Sequence, residues 1–509
     1  MITLAADNTW RLWDAMRKPF QSLPHILWIA VLLTLPITSL PFLVHLTKGA
    51  IVAGASILPL AALALVWYLP WLWRSRRLPI EAGPLIIFVL IVLIAGLSAL
   101  FADLHPFKDE TLVSRSVEAI ATLALGVAYF LITATFVAEE PERLRSSLVW
   151  VQAGILVALI WSAVQASFIL CCDSNYPEWI RAIHRLISIR DPAVGRVTGF
   201  AYEPSWFAHQ LNLLYFPLWL ASVGLGYSAF RKRLLGLQIE WFLLIGGVAA
   251  LVFSTSRIGL AGFLVLAGVM ALWFASKVAR RLNTSIRARF LTRDRLRLRV
   301  SRIGSSLVIW VGFAGIFFVA AYALVLIAGQ LDWRWGRILA PAGMRLFSLQ
   351  YANHLLFAER AVYWAAAYGV FERFPLLGTG LGNSGFLIPE TMPAYAWALP
   401  EVVDVLRAGT EFFPNPKSLW MRLLAETGIF GFVVFTVWIL VMALRAVTLY
   451  LRKWQLGRVI GVMGVLAVIS LLTEGFSVDS FAFPYLWITL GLVTAAAWTA
   501  RRAAAVESE

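Results

Sequence analysis

The chain has 509 residues, of which 60% are hydrophobic and only 14% charged, and it carries 23 Trp and 33 Phe. That balance excludes an ordinary soluble domain and a disordered chain, and points to an all-α polytopic membrane protein. The formal net charge of +15 does not indicate a nucleic-acid partner, because the basic residues fall in short runs between apolar segments, as the positive-inside rule requires.

The first 24 residues contain Arg11, Arg17 and Lys18 without a small-residue cleavage site, so the first span is expected to act as its own insertion signal. With about 20 apolar residues needed to cross a hydrocarbon core of ~30 Å, spans are expected at 26–46, 50–72, 82–102, 118–138, 148–170, 207–227, 238–255, 258–276, 304–328, 424–446, 458–476 and 482–499, about 12 transmembrane helices. Pro36 and Pro41 are expected to break the first of them. The adjacent Cys171 and Cys172 cannot take relaxed disulfide geometry and are expected as free thiols.

Orientation follows from the cations. Arg74, Arg76 and Arg77, Arg143 and Arg145, Arg231 to Arg233, Arg445, Arg452 and Lys453, and Arg501 and Arg502 all fall on one side of this arrangement. The stretch 277–302, with nine arginines and one lysine, falls there too. Both termini and this loop are therefore expected in the cytoplasm, with contact to anionic lipid as a second role of the basic run. The division expected is 1–329 with nine spans, a large periplasmic loop at 330–417, and 418–509 with the last three spans.

The long loop is the one extended interruption, and its segment Glu359 to Phe386 reads ERAVYWAAAYGVFERFPLLGTGLGNSGF. Arg360, Trp364 and Tyr368 recur every four residues and so share a helix face. Pro375 ends that helix, and Gly378, Gly380 and Gly382 allow a turn whose amides can face an anion and which can let the helix move. A surface helix with a flexible exit has the same spacing.

Two further stretches carry charge on the same outer side. In FSTSRIGLAGF, Arg257 sits between two spans at a depth where a charge costs up to about 3 kcal/mol unless paired or hydrated; it either meets an anionic ligand or snorkels to lipid phosphate. In RVTGFAYEPSWFAHQL, Arg196 and Glu203 stand at the mouth of a span. Glu203 suits a base that accepts a proton from a sugar hydroxyl, or, with Ser205, a cap for the next helix. His209 reads as a satisfied interface histidine, and neither His184 nor His354 has zinc-site spacing. No P-loop, HExxH or DxD-like acidic pair occurs, so no metal or cofactor is expected, and arginines would have to neutralise any diphosphate directly.

The order STSRIGL, a basic loop, a large outer loop carrying ERAVYWAAAYGVFERFPLLGTGLGNSGF, and LLAETGIFGF opening the next span resembles the O-antigen ligase and Wzy polymerase superfamily over about Phe253 to Phe435, with weaker similarity at RVTGFAYEPSWFA. The resemblance implies a metal-independent glycosyltransferase of the GT-C type in the bacterial inner membrane. It would take a glycan from undecaprenyl diphosphate at the periplasmic face, with membrane lipids, a flippase and a chain-length regulator as further partners. It also implies that Arg257 and Arg360 hold the carrier diphosphate, joined here by Arg196.

The chain departs from the ligase pattern where ligases carry a His-Asn pair nine residues before the Glu of the last motif, because Lys417 and Ser418 stand there. The EPS triplet Glu203 to Ser205 is similar to what polysaccharide polymerases carry. The expected reaction is therefore polymerisation of lipid-linked repeat units, with Glu203, Arg257 and Arg360 catalytic. Glu411 and His354 are reserve bases, and Trp364, Tyr368, His354, Glu411 and Lys417 are candidates for holding glycan. An O-antigen ligase or protein O-oligosaccharyltransferase is the nearer alternative, and a flippase or transporter the farther one.

Overall fold

The computed structural model describes residues 22–47, 53–101, 106–230, 233–289, 295–339, 348–355, 357–407 and 412–508, with backbone alone at 286–289, 295–302, 336, 338–339, 349 and 506–508. Glu411, the N-terminal cations, Arg231 and Lys232, and the side chains of the basic run after residue 285 lie outside the described residues.

The chain is an all-α polytopic membrane protein. Apart from isolated bridges at Ser39, Phe107 and Leu234, the regular structure among the described residues is helical. Among the described residues, eight helices are long and apolar enough to span a bilayer, including Leu112–Glu139, Arg257–Ser285, Leu419–Leu451 and Gln455–Glu474. Ser22–Thr34 and Ile239–Ser254 are apolar but shorter. Each of the twelve stretches expected from hydropathy contains a helix, and the first is broken: Ser22–Thr34 stops before Pro36, and Pro41–Leu46 starts afresh.

The helix Ile303–Leu331 shows what solvent this fold expects. Its Leu307, Val308, Val311, Ile316, Phe318 and Val319 are each more than 60% exposed. In water such a stripe would drive aggregation, whereas hydrocarbon accepts it.

Two prolines inside spans are absorbed by π-turns. Pro217 has no N–H to give the carbonyl of Leu213, and the helix 204–225 widens at Leu211–Tyr215. The freed Leu213 carbonyl accepts the hydroxyl of Thr489 at 3.0 Å. The segment Ala64–Tyr68 does the same ahead of Pro70.

The bundle has two chemically distinct ends. At one, Glu81 is fully buried and bonded to Arg445 at 3.1 Å and to both Nη atoms of Arg501. Two cations here also close helix C-termini, where carbonyls lack partners: Arg502 donates to Ala138 O (3.1 Å) and Lys277 to Gly224 O (3.3 Å), while Arg452 donates to Ala500 O (2.9 Å) within the last helix. Sequence reasoning gave these residues an orienting role and, for the run that begins at Lys277, contact with anionic lipid.

The other end gathers the loops. Ser39 bridges Ala53 and Ser188, Thr38 Oγ1 accepts the Tyr202 amide (2.9 Å), Val197 N–H donates to Phe253 O (3.0 Å), and Leu419 N–H donates to Gly475 O (2.8 Å). Cys171 and Cys172, expected as free thiols, are joined to one another there. They occupy the exposed last turn of Pro141–Cys172, beside the left-handed Asp173 and Ser174.

Candidate functional site

The site begins at a backbone turn. Thr255 is left-handed (φ 49°) and separates Ile239–Ser254 from the helix that starts at Arg257. Arg196 reaches this turn, its Nε donating to Ser254 O at 3.1 Å and Thr255 Oγ1 at 2.8 Å. Burial, followed by the charge of Arg334, pulls the Arg196 guanidinium down to about 10, and Asp332 and Glu203 partly offset this. Arg257 donates to Leu355 O, and the charges of Arg334 and Arg360 act on it. Arg334 is held as a fork on Asp332, its Nε at 2.9 and 2.7 Å from the two carboxylate oxygens.

Four arginines thus converge: the expected Arg196, Arg257 and Arg360, and Arg334, which sequence reasoning passed over. Its signal was the one that marked Arg257, a cation on the outer side, in DWRWGR directly after a span. His354 lies near but is tied into a turn, its Nε2 at 3.1 Å from Arg337 O while Arg337 Nη1 donates to His354 O at 3.2 Å.

The helix Ala358–Arg373 carries the aromatic row. Trp364 packs between Phe357 and Phe476, with centroids at 5.0 and 5.2 Å, and its buried indole N–H has no hydrogen-bond partner among the described residues. Tyr368, two turns from Arg360, is half exposed and pairs with Phe371 at 5.9 Å. Arg360 Nη1 donates to Lys417 O at 3.4 Å. Lys417 is itself left-handed (φ 52°), bonded to Glu401, and lies 4.4 Å over the Tyr363 ring. The position where ligases carry histidine therefore holds a lysine already engaged by a carboxylate.

Glu359 shares a hydrogen bond with Glu401. That bond, then burial, raises Glu359 from 4.5 to about 7. For Glu401, burial pushes up but is outweighed by the Glu359 bond and Lys417, and the net shift is downward. The folded state therefore keeps a proton on Glu359 that the unfolded chain releases. Its stabilisation is complete below the ordinary carboxyl range and is lost as pH rises through about 7. The melting temperature in detergent is expected to fall between about pH 5 and pH 8, and Glu359→Gln, which still donates to Glu401, should flatten that slope.

The glycine turn is not an open anion nest. Gly382 N–H donates to Glu426 Oε2 (2.8 Å), Ser384 Oγ to Glu426 Oε1 (2.8 Å), and Arg422 Nε to Glu426 Oε2 (2.8 Å). The anion the turn faces is the chain's own buried carboxylate. Nor is the turn a hinge, since Thr379 N–H is bonded to Ala425 O (3.0 Å) and a Cβ on Gly378 would lie 2.4 Å from the Glu426 carbonyl carbon.

Glu203 occupies the N-cap position of the helix starting at Pro204, but its side chain makes no capping bond. Its carboxylate instead takes Ser205 Oγ (3.1 Å) and Arg190 Nη1 (3.3 Å), with the side chain 39% exposed. Below it lies a group that sequence reasoning missed: His209 Nδ1 is bonded to Glu474 Oε2 and Asn212 Nδ2 to Glu474 Oε1, with all three residues buried. The legible part was the spacing of His209 and Asn212 on one helix face and a lone acid in LLTEGF.

Residues 242–436 match the model of the family described as O-antigen ligase. No curated protein matches the chain. The matched stretch holds Arg257, Arg334, Arg360, Lys417 and Glu426, while Arg196, Glu203, His209 and Glu474 reach the site from outside it.

Proposed function

From the match of residues 242–436 to the O-antigen ligase family model, we propose that this multi-pass membrane protein is a polysaccharide polymerase. It transfers a glycan from undecaprenyl diphosphate to the next lipid-linked repeat unit. It lies in the bacterial inner membrane, with the basic end in the cytoplasm by the positive-inside rule and the loop end, including 330–417, in the periplasm.

The observation that carries this reading is the convergence of Arg196, Arg257, Arg334 and Arg360 at one end of the bundle. Arg196, Arg334 and Arg360 each act through their charge on Arg257 or are acted on by it, with Asp332, Glu203 and Glu359 as acids among them, and such a cluster suits a ligand carrying several negative charges. A diphosphate has that chemistry, and the forked geometry of Arg matches it. In the reaction the acceptor hydroxyl attacks the anomeric carbon, the bond from that carbon to the diphosphate oxygen breaks, and its electron pair leaves with the diphosphate. One displacement inverts the configuration. The arginines stabilise the charge growing on the leaving group, Trp364 and Tyr368 offer rings for sugar stacking, and Glu203 at the mouth is the base expected from sequence.

Polymerisation is favoured over ligation because Lys417, bonded to Glu401, and the helix cap Ser418 occupy the positions of the ligase His-Asn pair. The test is purified protein in detergent with a short lipid diphosphate-linked repeat unit as sole substrate and EDTA present. A ladder of longer glycans is expected. Transfer that appears only on adding lipid A core or a protein acceptor would make the chain a ligase, and no transfer to any acceptor would remove the glycosyltransferase reading.

A further inference from the structure

Among the buried ionisable groups that the polymerase reading leaves unused is Glu474. Glu474 ends the apolar helix Gln455–Glu474 and is fully buried, and both its oxygens are taken, one by His209 Nδ1 and one by Asn212 Nδ2. A purely structural contact between spans would be made more cheaply by apolar side chains, and an ionisable group at this depth marks function by default.

The surroundings are built for the pair. Asn212 also donates to Gly259 O at 2.7 Å, which fixes its amide. Gly262 has no side chain where a Cβ would stand 2.7 Å from Glu474 Oε1 and 2.9 Å from Asn212 Nδ2. Both glycines belong to the helix that opens with Arg257, so the stretch RIGLAG carries a guanidinium at its first residue and seats the carboxylate with the next turns. Asn212 lies in the π-turn Leu211–Tyr215, a distortion that recurs at functional sites.

We propose that His209 is the base of the transfer reaction and that Glu474, held by Asn212, positions it. The proposal rests on the polymerase reading and replaces Glu203, which is partly exposed and already bound to Arg190 and Ser205. With Nδ1–H given to Glu474, the other ring nitrogen, Nε2, presents a lone pair and makes no hydrogen bond among the described residues. His209 sits six residues after Glu203 on the same helix, about 9 Å deeper along its axis, under Trp206 and Phe483.

The acceptor O–H gives its proton to Nε2 as its oxygen bonds to the anomeric carbon and the diphosphate departs with the bonding pair. The proton then passes to the released diphosphate or to water. Uptake of the proton turns the buried carboxylate and neutral imidazole into a neutral imidazolium–carboxylate pair, as in a His–Asp dyad.

The experiment measures kcat, donor KM, the Kd for undecaprenyl diphosphate and thermal stability in detergent. His209→Gln is expected to lower kcat by about 10²–10⁴-fold, with donor Kd unchanged. Glu474→Gln, which keeps the shape but offers one acceptor oxygen to the two donors, should lower kcat about 100-fold, and Glu474→Asp should recover part of it. Added imidazole should restore part of the rate to His209→Ala. If His209→Gln does not fold, Asn212→Ala gives the same reading, with kcat expected about 10-fold lower and donor Kd unchanged. A folded His209→Gln, or Asn212→Ala, that turns over like wild type would overturn the dyad while leaving the polymerase reading intact, as would loss of kcat in Glu203→Gln alone. Absence of transfer by wild type would remove both.

Discussion

Gly428→Ala is expected to destabilise the protein by about 2–6 kcal/mol, combining backbone strain of about 1–3 kcal/mol with overpacking of about 1–3 kcal/mol. Gly428 lies inside Leu419–Leu451 at φ 62°, ψ −168°, a conformation nearly confined to glycine. An added Cβ would stand 2.2 Å from Leu376 O, which is backbone and cannot swing aside. The kink is what lets the turn after Pro375 dock: Ile429 N–H donates to Pro375 O (2.8 Å), Phe430 N–H to Leu376 O (3.3 Å), and Thr379 N–H to Ala425 O (3.0 Å). Loss of the kink would also release Glu426 from Gly382 and Ser384. Thermal unfolding in detergent checks this, with Gly96→Ala as control, since nothing lies within 4 Å of a Cβ there and helix propensity changes by only about 1 kcal/mol or less. A Gly428→Ala protein that melts with wild type would refute the account of the kink.

Arg257→Ala and Arg360→Ala are each expected to lower kcat/KM for a lipid diphosphate donor by about 10²–10³-fold, the usual cost of removing one preorganised donor to a growing negative charge. Arg257→Lys should recover only part of the loss, because an ammonium keeps the charge and loses the fork. The double variant should fall short of the product of the two single effects, because both groups act on one leaving group and on each other. Initial rates with a short lipid-linked repeat unit measure all four values. Two independent losses that multiply in full would mean the arginines do not share a ligand.

Hydropathy and proline placement made the fold legible, because span length and helix breaking are local properties of the chain. The stretch 118–138 falls within a single helix, 458–476 overruns Gln455–Glu474 by two residues, and the break between Thr34 and Pro41 lies where two prolines forbid continuation. Arg196, Arg257 and Arg360 were legible for a related reason: a cation on the outer side is anomalous in any positive-inside reading.

The remainder depended on pairings that sequence order hides. Glu474 is 265 residues from His209, and nothing local to either residue announces the other. The glycine turn looked like a site for an external anion because its partner, Glu426, lies 44 residues away on another helix. The turn signal was right, and the anion proved internal. Cys171 and Cys172 were read from ideal disulfide geometry, but they stand at a helix end where the backbone leaves the helix.

The most direct test of the central claim, that the convergent arginines hold a lipid-linked diphosphate, is equilibrium binding of undecaprenyl diphosphate to the purified protein and to Arg257→Ala, with undecaprenyl monophosphate as the comparison ligand. The account predicts that wild type prefers the diphosphate and that Arg257→Ala loses at least about 10-fold in affinity for it, the equivalent of one charge-assisted hydrogen bond of about 1.4 kcal/mol or more. Equal binding of both lipids, or an Arg257→Ala protein that binds the diphosphate as wild type does, would contradict it.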